Sequence, residues 1–170
     1  MTAQYALAKV GATDRGSFHE LLTAVLMSAL AFEAALNQAG EYVWMDEPEI
    51  WAAIEAASPM SKFAAISEQV HFKFEKGARP YQTVAELMRL RNDIVHGKPE
   101  HFSAQVPRAL RTDRDSWHTV MGLSAKWEQA CDEAFVLRAL EDVVSLVDAL
   151  CTQIGMPSPM HVGGLTTHSL

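Results

Sequence analysis

Apolar residues recur at helical spacing along almost the whole of this chain, and that periodicity leaves few folds open. Val136, Leu140, Val143, Val147, Leu150 and Ile154 step by four and three, the stripe of a buried helix. Phe18, Leu21, Leu22, Val25, Ala29, Phe32 and Leu36 do the same near the other end. No stretch alternates like a strand between turn dipeptides, and no repeat of solenoid length is visible. The expectation is an all-α bundle of four to five helices around one core, over residues 1–154.

Punctuation residues divide the chain. Ser17-Phe18-His19-Glu20 has the form of a capping box, and Gly40 is the expected stop of the first helix. Pro48 suits the first turn of a short second helix through Ala57. Ser58-Pro59 opens a third, over roughly 60–76, that Gly77 and Pro80 would end. A fourth runs from about Tyr81 to His96 and is stopped by Gly97 and Pro99. Residues 97–115 read as loop, and the last helix begins somewhere between Trp117 and Cys131. The Gly-, Pro- and Ser-bearing stretch 155–170 reads as a flexible tail.

Composition narrows the function classes. A chain of 170 residues can bury its own core, and its net charge of −7 argues against broad duplex binding. No window has the ~18 uninterrupted apolar residues of a membrane span, and Met1 is followed by no signal segment. A cytoplasmic protein with no membrane partner is expected. Cys131 and Cys151 lack metal or redox spacing and read as reduced core thiols.

The fourth helix carries the informative anomaly. At about 100° per residue, Val84, Leu87, Met88, Leu90, Ile94 and Val95 share one broad apolar face. Arg91 falls near the middle of it, where a charge is costly unless paired or open to a cleft. Asn92 and His96 are four apart and stack along the edge, with His96 last before Gly97. On the first helix, Glu33 flanks the apolar sector near Leu22, Leu26 and Leu30, and Asn37 lies one turn further. Glu33 is the expected partner of Arg91; the other reading leaves it exposed at the sector's edge.

These residues resemble the HEPN superfamily. The string Leu87-Met88-Arg89-Leu90-Arg91-Asn92-Asp93-Ile94-Val95-His96-Gly97-Lys98 is similar to its signature segment. The run through Glu33-Ala34-Ala35-Leu36-Asn37, Lys62, and Lys73-Phe74-Glu75-Lys76-Gly77-Ala78-Arg79-Pro80 is similar upstream, so the likeness covers roughly 17–100. It implies a metal-independent endoribonuclease, or a relative that has lost the activity, acting as a homodimer with two Arg/His motifs in one cleft. It also implies a toxin or defence role and so a cognate antitoxin or other protein partner. On this chain His96 would be the general acid/base, Arg91 the phosphate clamp, and Asn92 would orient His96 or bind a phosphate oxygen. Glu33, Asn37 and Lys98 would support the site or the RNA. The chemistry is coherent without metal or cofactor. Cleavage beside a 2′-hydroxyl needs a proton acceptor, a proton donor and a cationic fork.

Charge bears on that reading. Over 71–101 six Lys/Arg face four Asp/Glu, leaving +2, while the other 139 residues carry −9. A small cleft for a flexible RNA strand fits this balance better than a duplex groove. The rival reading is a silent helical domain that works through dimerisation and protein association, with Arg91 ordering an interface. A third is a nucleotide-binding module using the same Arg/His pocket.

Other constellations are weaker. Glu68-x-x-His71 has the spacing of a bundle di-metal site, but no second copy exists. His19, His101, His118, His161 and His168 have no ligand-like grouping. No serine sits in a nucleophile elbow, and no Gly-rich phosphate loop occurs. Trp44, Trp51, Trp117 and Trp127 read as packing anchors. Arg108, Arg111 and Arg114 interleave with Asp113 and Asp115 in a solvated loop.

Overall fold

The computed structural model describes residues 17–96 and 130–161, with the side chain of Ser17 outside that set. Among the described residues the chain forms five α-helices and no strand. They are α1 (Ser17–Val43), α2 (Pro48–Ile54), α3 (Pro59–Gln69), α4 (Tyr81–Val95) and α5 (Glu133–Ile154), followed by a single 3₁₀ turn, Pro159–His161. The all-α bundle expected from the periodicity is therefore present.

The two strongest apolar stripes find each other. α1 packs along α5, and α3 and α4 close against α1, with α4 also touching α5. Val25, Phe32 and Leu36 of α1 meet Phe63 and Ile66 of α3, Val84 and Leu87 of α4, and Val136, Leu146, Val147 and Leu150 of α5 in one core. Each such side chain contributes about 1.5–3 kcal/mol on burial. Among the described residues, only α1 is long and apolar enough by length and composition to cross a membrane, with a mean hydropathy of 1.4. In this fold its apolar stripe is the centre of the bundle.

Three helix C-termini differ from the sequence expectation. Gly40 does not stop α1, which continues to Val43. Gly40 is instead a contact point: a Cβ there would lie 2.2–2.5 Å from the ring of Trp51, which is stacked on Trp44 at 5.9 Å. The second helix ends at Ile54 rather than Ala57. The third ends at Gln69, not near 76. His71 takes a left-handed conformation (φ 54°), donates its N–H to Glu68 O, and lets Phe72 N–H reach Ser67 O at 2.8 Å. This is a Schellman stop with histidine where glycine is usual. The chain beyond it lays Phe72, Phe74 and Tyr81 around Phe63, with Phe74 centred 4.9 Å from both Phe63 and Tyr81.

Other ends follow local chemistry. Ser58 caps α3 from the Ser61 N–H, and Asp132 caps α5 from the Phe135 N–H at 2.8 Å. Gly155 (φ 81°) closes α5. The expected tail is not free at its start, because Met156 is buried and Ser158 and His161 both bond the Asp148 carboxylate. The last helix begins at Glu133, just past the expected interval from Trp117 to Cys131, because the Asp132 carboxylate caps it there. Residues 162–170 lie outside the described set, as does the expected loop at 97–115. Cys131 and Cys151 are buried free thiols, as expected, and burial pushes both above their ordinary pKa.

Arg79 ties the segment before α4 to α5. Its guanidinium donates to both oxygens of the buried Asp142 carboxylate at 2.8 and 2.9 Å. Burial would raise the Asp142 pKa, but the hydrogen bonds from Arg79 and Thr83 and the nearby cations outweigh it. The carboxyl is held below its usual range. Burial is likewise outweighed at Asp148 by Ser158 and His161.

Two outcomes follow from this packing. Alanine is the better helix former by ~1 kcal/mol, yet Gly40→Ala should lower stability by about 1–3 kcal/mol through the clash with Trp51. Urea unfolding followed by tryptophan emission measures this, and a stabilised variant would refute the contact. The depressed carboxyls add stability that is complete above the ordinary carboxylate range near ~4 and is lost as pH falls through their lower folded values. Acid unfolding of Asp142→Asn should depend less steeply on pH than wild type; equal steepness would remove Asp142 from this role.

Candidate functional site

Arg91 continues the buried line of Val84, Leu87 and Met88 by one turn, so α4 aims a guanidinium at α1. Its Nη2 donates to Glu33 Oε2 at 2.8 Å, the pairing expected from the two helical faces. Its Nη1 donates to the adjacent Asn92 Oδ1 at 3.0 Å. The pair is partly open, with side-chain accessibilities of 23% for Arg91 and 26% for Glu33.

The site is larger than the sequence expectation. Lys62, on the first turn of α3, is 4% accessible and sits 3.8 Å from Glu33 Oε1. It donates to Asn37 Oδ1 at 2.7 Å. Five side chains from three helices thus share one network, with Glu33 neutralising two cations. Two positive groups against one carboxylate leave the cluster net cationic, and the Arg91 fork has further N–H groups with no partner among the described residues.

Lys62 lies in the family-like run, but the likeness gives it no site role. Its signal was the one that exposed Arg91: a cation in register with a core stripe, one turn before Ile66. A lysine so placed must be paired, because an isolated buried ammonium is costly.

The structure separates the remaining expected residues. His96 caps α4 through its backbone N–H to Asn92 O at 2.9 Å. Its ring is exposed and has no hydrogen-bond or ionic partner among the described residues. Five residues on an α-helix turn a side chain by roughly 140° and advance it by about 7.5 Å, so Arg91 and His96 leave the helix in different directions. The Asn92 side-chain oxygen meets Arg91, where the family likeness implies that Asn92 orients His96 or binds a phosphate oxygen. Lys98, Arg108, Arg111 and Arg114 lie outside the described residues. Among the described residues no group of His, Cys, Asp and Glu could hold a metal ion. His71, next to Glu68 in that expected spacing, instead shapes the end of α3.

The hub position of Glu33 has a measurable consequence. Glu33→Ala leaves a buried Lys62 and a half-buried Arg91 without counter-charge and should cost about 2–4 kcal/mol, a little under a fully buried pair. Lys62→Met keeps the Glu33–Arg91 bridge and should cost less. Denaturant midpoints of the two variants decide it; a costlier Lys62→Met would place the hub at Lys62.

Comparison with known proteins supplies no further identity: no family model, curated protein or solved structure matches the chain.

Proposed function

We propose that this chain is a HEPN-type homodimer acting as a metal-independent endoribonuclease, with toxin or defence use in the cytoplasm. The observation that carries the reading is Arg91. It is a guanidinium fixed on a core-facing stripe by Glu33, and it keeps part of its surface open.

The roles follow from the chemistry. An RNA phosphate would take the free N–H groups of Arg91, and Asn92 limits the rotation of that fork. An imidazole is the side chain that ordinarily exchanges protons near neutral pH. His96 would accept the 2′-hydroxyl proton as that oxygen bonds phosphorus. The P–O5′ bond breaks, and the leaving oxygen takes a proton from the His96 of a second copy. The products are a 2′,3′-cyclic phosphate and a 5′-hydroxyl. The divergence of Arg91 and His96 within one chain favours two chains supplying one cleft. Leu30 and Val95, one turn from Glu33 and Arg91 and 48% and 56% exposed, give that region the apolar surface an interface needs.

A second reading rests on the same bridge. Arg91 already spends hydrogen bonds on Glu33 and Asn92. In a silent domain that network would order a dimer or a protein-partner surface, with no RNA cut.

Cleavage of a single-stranded RNA by purified protein, with metal chelated, separates the two. Wild type should leave cyclic-phosphate ends, and His96→Ala and Arg91→Ala should each lose at least ~100-fold in rate. Equal cleavage by wild type and His96→Ala would sink the assignment of His96. No cleavage by either, with a dimer that Arg91→Ala dissociates in sedimentation, would support the silent domain.

A further inference from the structure

From residue 17 to residue 61 the chain has seven Asp/Glu and no Lys or Arg. Four of these acids, Glu41, Asp46, Glu47 and Glu49, fall at the corner where α1 turns into α2, and a fifth, Glu55, caps the far end of α2. All five are exposed, and none forms an ion pair among the described residues. Asp46, Glu47 and Glu49 lie within a few residues of one another, so screening at physiological salt, with a Debye length of about 8 Å, leaves these charges in mutual repulsion.

The same corner is unusually apolar for an acidic surface. Tyr42, Met45 and Ile50 are 48%, 69% and 39% exposed. Beneath them Trp44 and Trp51 stack with their planes 13° apart, giving the corner a stiff floor. Between this corner and α3 runs a groove of about 610 Å³. Trp44, Ile50 and Ile54 form its apolar wall, Glu47 and Glu68 contribute carboxylates, and His71 stands at the end of α3.

An apolar wall with carboxylates beside it matches a side chain with an apolar stem and a cationic head, which is what Lys and Arg are. Exposed Tyr, Met and Ile beside the groove match the apolar face of an amphipathic helix. We propose that the α1–α2 corner and this groove form a docking surface for a basic amphipathic segment of a protein partner. A Lys or Arg stem lies against Trp44, Ile50 and Ile54, and its head sits beside Glu47 and Glu68. The charge of the corner repels a nucleic acid strand and disfavours a second copy of the same face. The surface is separate from the Arg91 cluster: Glu68 is six residues from Lys62, about 9 Å along α3. The inference therefore stands whether or not the chain cleaves RNA.

The test uses the full chain and a labelled amphipathic peptide of Leu and Lys in helical order, read by fluorescence anisotropy. Its control is the same peptide with Glu in place of Lys. The Lys peptide should bind, and the Glu peptide should not. Glu47→Lys and Glu68→Lys should each weaken binding by about tenfold, and Ile50→Asp should weaken it comparably. Glu133→Lys makes the same change in net charge on an exposed position at the start of α5 and should leave affinity within about twofold. Circular dichroism confirms that each variant is folded; these positions are exposed, so the fold does not depend on them. Equal weakening by Glu133→Lys, unaltered binding by the groove variants, or equal binding of the Glu peptide would overturn the proposal. Self-association lost in Ile50→Asp, with no peptide binding, would overturn it in favour of a second copy.

Discussion

The carboxylate of Glu33 is the interaction on which the interior polar arrangement depends. It lies on α1, the helix that every other helix touches, and it answers cations from two of them. Without it, Lys62 would be an ammonium in a core, and Arg91 a guanidinium on a stripe of Val84, Leu87 and Met88. Such a network contributes little net stability, since pairing mostly repays desolvation. What it fixes is register: the Lys62 turn of α3 and the Arg91 turn of α4 must both stand opposite one turn of α1. Apolar contacts alone tolerate sliding and repacking far better.

How much of this was legible follows from what each signal depends on. The Arg91–Glu33 bridge could be read because both helices are long, and their apolar faces point a misplaced charge at a specific neighbour. Lys62 was harder, because its helix has only 11 residues, and extending it to about 76 blurred which face was core. At the end of that helix Gly77 is the louder stop signal in the sequence, while the real stop uses the left-handed backbone of His71. Gly40 shows the reverse error. A glycine inside a helix looks like a cap in one dimension, and only the neighbouring chain reveals that Trp51 needs the space. Residues 155–161 looked loose by composition, yet Asp148 draws Ser158 and His161 onto α5 through contacts that no local pattern announces.

Charge is arranged as unevenly in space as along the chain. The three-helix cluster around Glu33 carries one more cation than anion, while the four acids of the α1–α2 corner form no ion pair among the described residues. A single net value of −7 averages two surfaces with opposite preferences. In the readings proposed above, the first would admit an anion at a half-open guanidinium, and the second would repel anions and attract cationic chains. The stretch 17–61, without Lys or Arg, serves both surfaces. Its Glu33 is consumed inside the bundle, and the acids of its corner remain free for solvent or a partner.

The choice of arginine at position 91 bears on what the site can do. A lysine there could satisfy Glu33 as a point charge, but its three donors sit on one rotatable nitrogen and lack the planar fork that matches two oxygens of an anion. A guanidinium presents five donors in a plane, so it can bond Glu33 through one nitrogen and Asn92 through another and still offer N–H groups outward. Glu33 then acts on any arriving phosphate in two ways. It holds the fork still, which lowers the entropy cost of binding, and it competes for the same positive charge, which weakens the hold. Lys62 softens that competition by drawing the other oxygen of Glu33 inward. The buried lysine thereby sets how much of the Arg91 charge remains for an anion, although an ammonium that is 4% accessible has almost no surface of its own to offer one.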